Sequence, residues 1–151
     1  MFAEVIVELR CVESLGEVIV ISGRFCMHGF VTDIGKASTE NNNFRKVLYT
    51  APHCQLVVMS LKPGEDIGKE IHQVDQFIRI EVGDGEVVMG GDNSRIHAES
   101  AFVIPSGTEH NVRNTGSGDM KLYSIYSPPQ HRDGTVHVTK ADAERDEDDH
   151  T

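Results

Sequence analysis

Basic residues are scarce in this chain of 151 residues, which has 14 Lys and Arg against 24 Asp and Glu and a formal net charge of -10 at pH 7. Because such a surface repels phosphates, we expect neither nucleic acid nor an anionic membrane as a partner. The excess is uneven, since the segment ADAERDEDDHT, residues 141–151, contains six acidic residues and one arginine. This stretch has little to bury, so it is predicted to form an acidic disordered tail.

Cysteine pairs and long apolar runs are also missing. The three cysteines, Cys11, Cys26 and Cys54, form no C-x-x-C pair, which excludes a zinc knuckle and a redox motif and favours reduced thiols. The first 20 residues contain acidic side chains instead of the basic start and unbroken apolar core of a signal peptide. No later run is long enough to span a bilayer. We therefore expect a cytoplasmic protein.

Helical periodicity is nearly absent, and short alternating segments recur between turn signals instead. This pattern predicts an all-β fold, and the length suits one domain. Many short strands with frequent glycine turns favour a jelly-roll barrel. The predicted strands are Ala3–Val12, Val18–Ile21, Lys46–Tyr49, Gln55–Leu61, Ile71–His72, Gln76–Val82, Glu86–Met89, Arg95–Ile104, Glu109–Asn114 and Lys121–Ser127, with turns at Pro63-Gly64, Gly83-Asp84-Gly85, Gly90 to Asn93, Pro105 to Gly107 and Gly116 to Gly118.

The stretch EIHQVDQFIRIEVGDG, residues 70–85, places three polar groups at even offsets, at Glu70, His72 and Gln76. Successive strand side chains alternate between faces, so even spacing sends all three to one side. The even positions that follow Gln76 are apolar, which predicts that this face points into the barrel. An unpaired buried amide there costs about 1 to 3 kcal/mol. We expect one interior site that satisfies all three side chains.

A second polar cluster lies in IPSGTEHNVRN, residues 104–114, where a Pro-x-Gly turn precedes a histidine and an asparagine. Together the two segments resemble the paired motifs of the cupin superfamily, G-x5-H-x-H-x3-E-x6-G and G-x5-P-x-G-x2-H-x3-N. The resemblance covers residues 46–127 and implies a single jelly-roll cupin barrel, the double-stranded β-helix. The residues in register are Gly64, His72, Gly83, Pro105, Gly107, His110 and Asn114.

Three positions depart from the cupin pattern. Glu70 stands where the first histidine is usual, Gln76 where the glutamate is usual, and Glu99 where the second motif begins with glycine. The carboxylate lost at position 76 reappears at position 70, so the set still suits a divalent ion such as Zn, Mn, Fe or Ni. An interior of hydrogen-bonded polar groups without metal is the alternative, and Asp75 could replace Gln76. The metal ligands implied by the resemblance are Glu70, His72, Gln76 and His110.

The resemblance implies a function like that of the small cupins grouped as mannose-6-phosphate isomerase-like, acting on or binding a small polar, sugar-like molecule. Such an isomerase needs a metal, a base and cations for the phosphate. No catalytic residue is assigned, although Glu70 or Glu109 could be the base and Lys121 or Arg132 could lie at the pocket rim. Two other functions stay open. Two histidines and a carboxylate also form the facial triad of a non-heme Fe(II) dioxygenase, and a non-catalytic ligand-binding cupin fits as well.

The ends of the chain are interpreted separately from the cupin domain, which we place at residues 27–140. Residues 1–26 are either an extra hairpin or the product of an upstream start, with the natural chain beginning at Met27. His131 and His137 are expected to be exposed loop histidines and not ligands. The resemblance also implies a homodimer that covers exposed sheet edges.

Overall fold

The computed structural model describes residues 29–146 and residue 149. Contacts divide the chain into two units, Met1–Val31 and Thr32–Thr151, and the fold below belongs to the second. Both strands predicted in the first 26 residues lie outside the described residues. The elements are α1 (Ile34–Thr39), β1 (Arg45–Thr50), β2 (Gln55–Leu61), β3 (Glu70–Ile71), β4 (Asp75–Val82), β5 (Asp84–Met89), β6 (Asp92–His97), β7 (Ala101–Ile104), β8 (Glu109–Asn114), β9 (Met120–Ser127), β10 (Val136–His137) and α2 (Lys140–Arg145).

Two antiparallel sheets form the domain. One has the strand order β10-β1-β2-β9-β4-β7 and the other the order β3-β8-β5-β6. The prediction of an all-β, double-stranded β-helix barrel is therefore confirmed. Apolar side chains from both sheets fill the interior, among them Val57, Leu61, Ile78, Ile80, Val87, Val112 and Leu122.

The alternation in β4 has the phase that the sequence predicts. Gln76, Ile78 and Ile80 are buried, whereas the residues between them are only partly covered. Burying aliphatic side chains contributes about 1.5 to 3 kcal/mol each, so a shift of one residue would expose the apolar face and be strongly disfavoured. The same register points the Gln76 amide inward.

The prediction of one continuous strand over Arg95–Ile104 is wrong. The structure divides this segment into β6 and β7, which lie in different sheets. Glu99 lies at the break with a φ of +72°, in the left-handed region that favours glycine. This is the position where the cupin pattern has glycine. The chain therefore keeps the turn although it lacks the residue type that signals it.

The predicted turn at Gly83-Asp84-Gly85 is also shorter than expected, since β5 already begins at Asp84. Gly85 lies within the strand for a steric reason. A Cβ atom there would lie 2.2 Å from the carbonyl oxygen of Arg113 and 2.3 Å from Cε of Met120. Glycine at this position lets β5 approach β8 and the core closely.

The prediction of a disordered tail is wrong for residues 141–146 and for residue 149. Residues 140–145 form α2, whose N-terminus has a capping box between Thr139 and Asp142. Asp149 is 1% exposed and contacts buried cationic and imidazole side chains of the barrel. The acidic composition favoured a solvated tail, because composition alone does not show that Arg45 and His131 pair with Asp149 in the fold. None of the described helices is long and apolar enough to cross a membrane.

Gly85→Ala is expected to destabilise the domain by about 2 kcal/mol or more, because its methyl group would collide with a backbone carbonyl that cannot move away freely. The matched control is Gly118→Ala, since a Cβ atom there meets nothing within 4 Å. Urea unfolding of both variants measures the difference. Equal free energies of unfolding would show that β5 does not need glycine.

Candidate metal centre

Three of the four predicted ligands meet in space. One donor atom each from Glu70, His72 and His110 lies within 4.8 Å of the others. The pairing of β3 with β8 sets Glu70 directly opposite His110, and His72 follows β3 immediately. The two imidazole ring centroids are 5.0 Å apart. Residues 40 positions apart in the sequence thus form one group because two strands pair.

The protein backbone fixes the orientation of His110. Its Nδ1 lies 2.9 Å from the carbonyl oxygen of Thr108. A carbonyl only accepts hydrogen bonds, so Nδ1 carries the proton and Nε2 presents a lone pair. Burial lowers the pKa of His110, and the neighbouring His72 lowers it further. The Nε2 atom is buried and has no hydrogen-bond partner among the described residues. This is the state in which an imidazole binds a metal.

Glu70 and His72 approach each other closely. Glu70 Oε2 lies 2.9 Å from His72 Nε2, although the pair is not aligned as a hydrogen bond. Burial raises the pKa of Glu70, but His72 and the charge of Arg45 lower it more, so the net direction is downward. Glu70 is therefore a carboxylate. An anionic oxygen and an imidazole nitrogen at this separation can both face one ion.

Gln76 is oriented by two hydrogen bonds. Its Nε2 donates to the Ser124 hydroxyl at 3.0 Å and to the Tyr126 hydroxyl oxygen at 2.9 Å. The amide oxygen is left buried without a partner among the described residues. Burial raises the pKa of Tyr126, which keeps this phenol protonated. Gln76 as the fourth ligand stays a prediction, and its unsatisfied oxygen is the atom that would bind.

The donor set fits a divalent first-row ion. Two imidazole nitrogens, one carboxylate and one amide oxygen are accepted by zinc, manganese, iron and nickel. Buried polar atoms without partners also cost free energy unless something satisfies them. Asp75 does not offer a better oxygen. It is exposed, and its carboxylate accepts a hydrogen bond from the Ser106 N–H at 2.9 Å.

Arg45 is a part of the site that sequence reasoning missed. It is 4% exposed. One terminal nitrogen of its guanidinium lies 3.7 Å from Glu70 Oε1, and the other lies 3.0 Å from Asp149 Oδ2. The sequence contained a signal, because Arg45 shares its strand face with Val47, whose side chain is buried. The signal was not used because the predicted strand began at Lys46, one residue after Arg45.

The prediction that His131 and His137 are exposed is wrong, since they are 1% and 4% exposed. His131 Nδ1 lies 2.8 Å from Asp149 Oδ2, and its ring packs edge-on against Tyr126. His137 is buried because β10 pairs with β1, where it lies opposite Arg45. The turn-rich sequence around both histidines gave no sign of this pairing.

His137, Asp146 and Asp149 form a second group whose donor atoms lie within 4.8 Å. Arginines already neutralise both of its carboxylates. Arg45 contacts Asp149, and Arg132 lies 3.0 Å from Asp146. We interpret this group as an ion-pair cluster, since two guanidinium groups oppose the entry of a cation.

Two pockets open onto Glu70. One of about 250 Å³ lies between the barrel and α2, and one of about 230 Å³ also reaches His72. The residues that line the pockets are Phe44, Arg45, Ile67, Glu70, Lys140, Ala143, Glu144 and Asp146 for the first, and Glu70, Ile71, His72 and Gln130 for the second.

The two cations predicted for the pocket rim, Lys121 and Arg132, line neither pocket. Lys121 is buried, and its ammonium donates to the carbonyl oxygen of Asn41 and to the Ser60 hydroxyl.

Glu109, the other candidate base, points away from the site. Its carboxylate is exposed and lies 2.8 Å from the ammonium of Lys69. Asn114 has a structural role, because its amide donates to the carbonyl oxygens of Leu61 and Gly118.

Comparisons with known proteins found one matching family model and several similar proteins. A family model described as "Cupin domain" matches residues 57–126, which include every predicted ligand. The uncharacterized protein YrkC of Bacillus subtilis is 53% identical over 126 residues, covering 79% of this chain and 68% of its own length. The uncharacterized protein L612 of Acanthamoeba polyphaga mimivirus is 41% identical over 116 residues, covering 74% and 72%. The crystal structure of BH2720 from Bacillus halodurans superposes with a TM-score of 0.77 at 47% identity, covering 80% of this chain and 96% of that one.

Asp149 gives the stability a defined dependence on pH. Burial raises its pKa, but His131 and Arg45 outweigh this effect and lower the pKa from 3.8 to about 2. A lowered folded-state pKa stabilises the protein above the unfolded pKa, and the contribution is lost as the pH falls towards the folded pKa. The stability advantage of the native protein over Asp149→Asn should shrink by about 1 to 2 kcal/mol between about pH 5 and about pH 2. Urea unfolding across this range measures it, and an advantage independent of pH would contradict the ion pair.

Proposed function

The chain belongs to the cupin domain family, and from this premise we propose that it binds a divalent metal ion and uses it to bind or act on a small polar molecule. The proposed ligands are Glu70, His72, Gln76 and His110. The observation that carries the proposal is the state of the His110 ring. Its Nδ1 carries the proton and donates it to the carbonyl oxygen of Thr108, so the buried Nε2 carries none and has no partner among the described residues. An imidazole in this state beside a carboxylate favours metal over a purely hydrogen-bonded interior.

The side chains around the ligands limit what the site can accept. A bound divalent ion would supply a Lewis acid. Glu70 keeps its charge beside Arg45, so this pair orients the carboxylate towards the histidines. The pockets of about 250 and 230 Å³ lie below the range of about 300 to 1,000 Å³ that is usual for ligand sites, which favours a molecule the size of a monosaccharide or smaller.

An isomerase-like activity is our first candidate within this class. The set of two imidazoles, a carboxylate and an amide supports it by resemblance to the mannose-6-phosphate isomerase-like cupins. Lys140 is a cation of the first pocket, but its ammonium pairs with Asp66. A phosphate would have to compete with that carboxylate, so an uncharged sugar or a singly charged acid suits the pocket better than a sugar phosphate.

A dioxygenase is the second candidate, and a specific observation favours it. The group that converges within 4.8 Å consists of two histidines and one carboxylate. This is the ligand set that holds non-heme Fe(II) while leaving positions open for oxygen and substrate. Gln76 would then serve to position Tyr126 and not to bind metal.

Cytoplasmic location and a homodimer stay predictions. The exposed thiol of Cys54, which forms no disulfide, is consistent with a reducing compartment. An apolar row on the outer face of the larger sheet supports self-association. Val103 and Ile125 flank Phe77 across three paired strands, and both are exposed.

Elemental analysis of untagged protein purified without chelator should find near-stoichiometric metal, and Glu70→Ala and His110→Ala should each weaken binding roughly tenfold or more because a ligand is lost. Glu109→Ala is the matched control, since its carboxylate neighbours His110 in sequence but is exposed and paired with Lys69. Metal-free native protein that cannot be loaded would reject the proposal and leave a hydrogen-bonded interior.

The metal and its chemistry separate the candidates. We expect the zinc- or manganese-loaded protein to convert or bind small sugars, measured by NMR of the substrate mixture, with His110→Ala inactive. Oxygen uptake that requires iron would replace this candidate with the dioxygenase. Binding without turnover under both conditions would leave the non-catalytic cupin.

A further inference from the structure

A second polar cluster lies beside the metal ligands and surrounds one carboxylate oxygen. Asp149 Oδ2 lies 3.0 Å from a guanidinium nitrogen of Arg45, 2.8 Å from His131 Nδ1 and 3.9 Å from His137 Nδ1. Each of the four side chains is at least nine-tenths buried. We call the three nitrogen-bearing side chains, Arg45, His131 and His137, the carboxylate cradle.

The cradle belongs to the barrel and not to the segment that supplies Asp149. Arg45 and His137 lie opposite each other on the paired strands β1 and β10. The backbone N–H of His131 donates to Gln55 Oε1 at 2.9 Å, which ties this residue to β2. The cradle is therefore organised by sheet pairing and would persist if Asp149 moved away.

The segment that carries Asp149 is anchored mainly by polar contacts. None of the residues of α2 is fully buried, so little apolar burial fixes the helix. Its polar contacts include the ion pair of Asp146 with the exposed Arg132 and the contact of Lys140 with Asp66. Exposed ion pairs contribute little, typically below about 1 kcal/mol. The pairing of Asp149 with Arg45 differs from these attachments, because both partners are almost fully buried.

Charge balance selects the kind of anion that the cradle accepts. Arg45 also lies 3.7 Å from Glu70, which already takes part of its charge. A planar carboxylate with one negative charge matches the guanidinium and the imidazoles, as Asp149 does. A phosphate dianion would bring a further negative charge close to Glu70 and is disfavoured.

We propose that the carboxylate cradle is a binding site for the carboxylate of a small-molecule ligand, and that Asp149 is an internal ligand that occupies it until displaced. The first pocket lies between Arg45 and Glu70 of the barrel and Lys140, Ala143 and Glu144 of the C-terminal segment. Displacement of Asp149 would free this segment and widen the pocket towards Glu70. The inference deepens the proposed function and rests on it for the ligand's purpose, whereas anion binding itself needs no metal.

Asp149→Ala empties the cradle and lets a free carboxylate be tested as a probe. Because Asp149 already fills the cradle in the native protein, added acetate must displace it, and the native protein should respond less than the variant. The variant should gain roughly 3 °C or more in Tm in about 100 mM sodium acetate, relative to sodium chloride at equal ionic strength. Arg45→Met combined with Asp149→Ala should abolish this gain.

Two matched controls separate cradle binding from general salt effects. Asp149→Asn fills the cradle with a neutral amide and should not respond to acetate. Asp133→Ala removes an exposed carboxylate of the neighbouring loop and should behave like the native protein. If Asp149→Ala does not fold in chloride, recovery of its native circular dichroism spectrum on refolding in acetate supports the proposal.

An acetate effect on Asp149→Ala no larger than on Asp149→Asn, or no recovery on refolding, overturns the proposal. Metal content is measured in the same samples. Metal-free protein with a normal acetate response would reject the metal function and keep the cradle. Metal-loaded protein without the response would reject the cradle and keep the metal function.

Discussion

The guanidinium of Arg45 is the contact on which the organisation of the site depends. A buried charge costs several kcal/mol unless it is paired, so Arg45 can be inside the barrel only because carboxylates approach it from two sides. Glu70 belongs to the proposed metal ligands, and Asp149 belongs to the segment after α2. One cation thus couples the interior site to a distant part of the chain. If either carboxylate is removed, the other carboxylate alone balances the charge of Arg45.

Hydrogen bonds from the barrel orient the proposed ligand atoms without a metal. The carbonyl of Thr108 fixes the tautomer of His110, and two hydroxyl groups hold the amide of Gln76 so that its oxygen is left over. Ser124 and Tyr126 lie on β9, and Thr108 directly precedes β8, so the register of these strands, which apolar burial fixes, sets the positions of the partners. The energy that orients the ligands therefore comes from the core, and the site need not be assembled by the ion.

Local patterns predicted the all-β fold, and the resemblance to the paired cupin motifs predicted the convergence of Glu70, His72 and His110. Strand alternation gives the face of a side chain, and the paired motifs gave the register of the two segments. The partners of Arg45, His131 and Asp149 were not predicted in this way, because several of their contacts join distant segments. Arg45 and Asp149 are 104 residues apart, and Gln55 and His131 are 76 residues apart. Alternation says that a side chain points inward, but it does not say what meets it there. Glu99 shows the complementary failure, since a turn conformation persisted without the glycine that signals it.

The exchange of ligand types at positions 70 and 76 has a physical explanation in these contacts. In the usual cupin pattern a histidine would stand at position 70, and it would leave the buried Arg45 with Asp149 as its only anion among the contacts described. A carboxylate at position 70 supplies the second charge, whereas the side chain at position 76 lies against the hydroxyl groups of Ser124 and Tyr126. The amide at position 76 matches those hydroxyl groups at lower desolvation cost. The departures at positions 70 and 76 are thus one linked change, in which the negative charge of the proposed ligand set has moved to the side of the barrel where Arg45 can balance it.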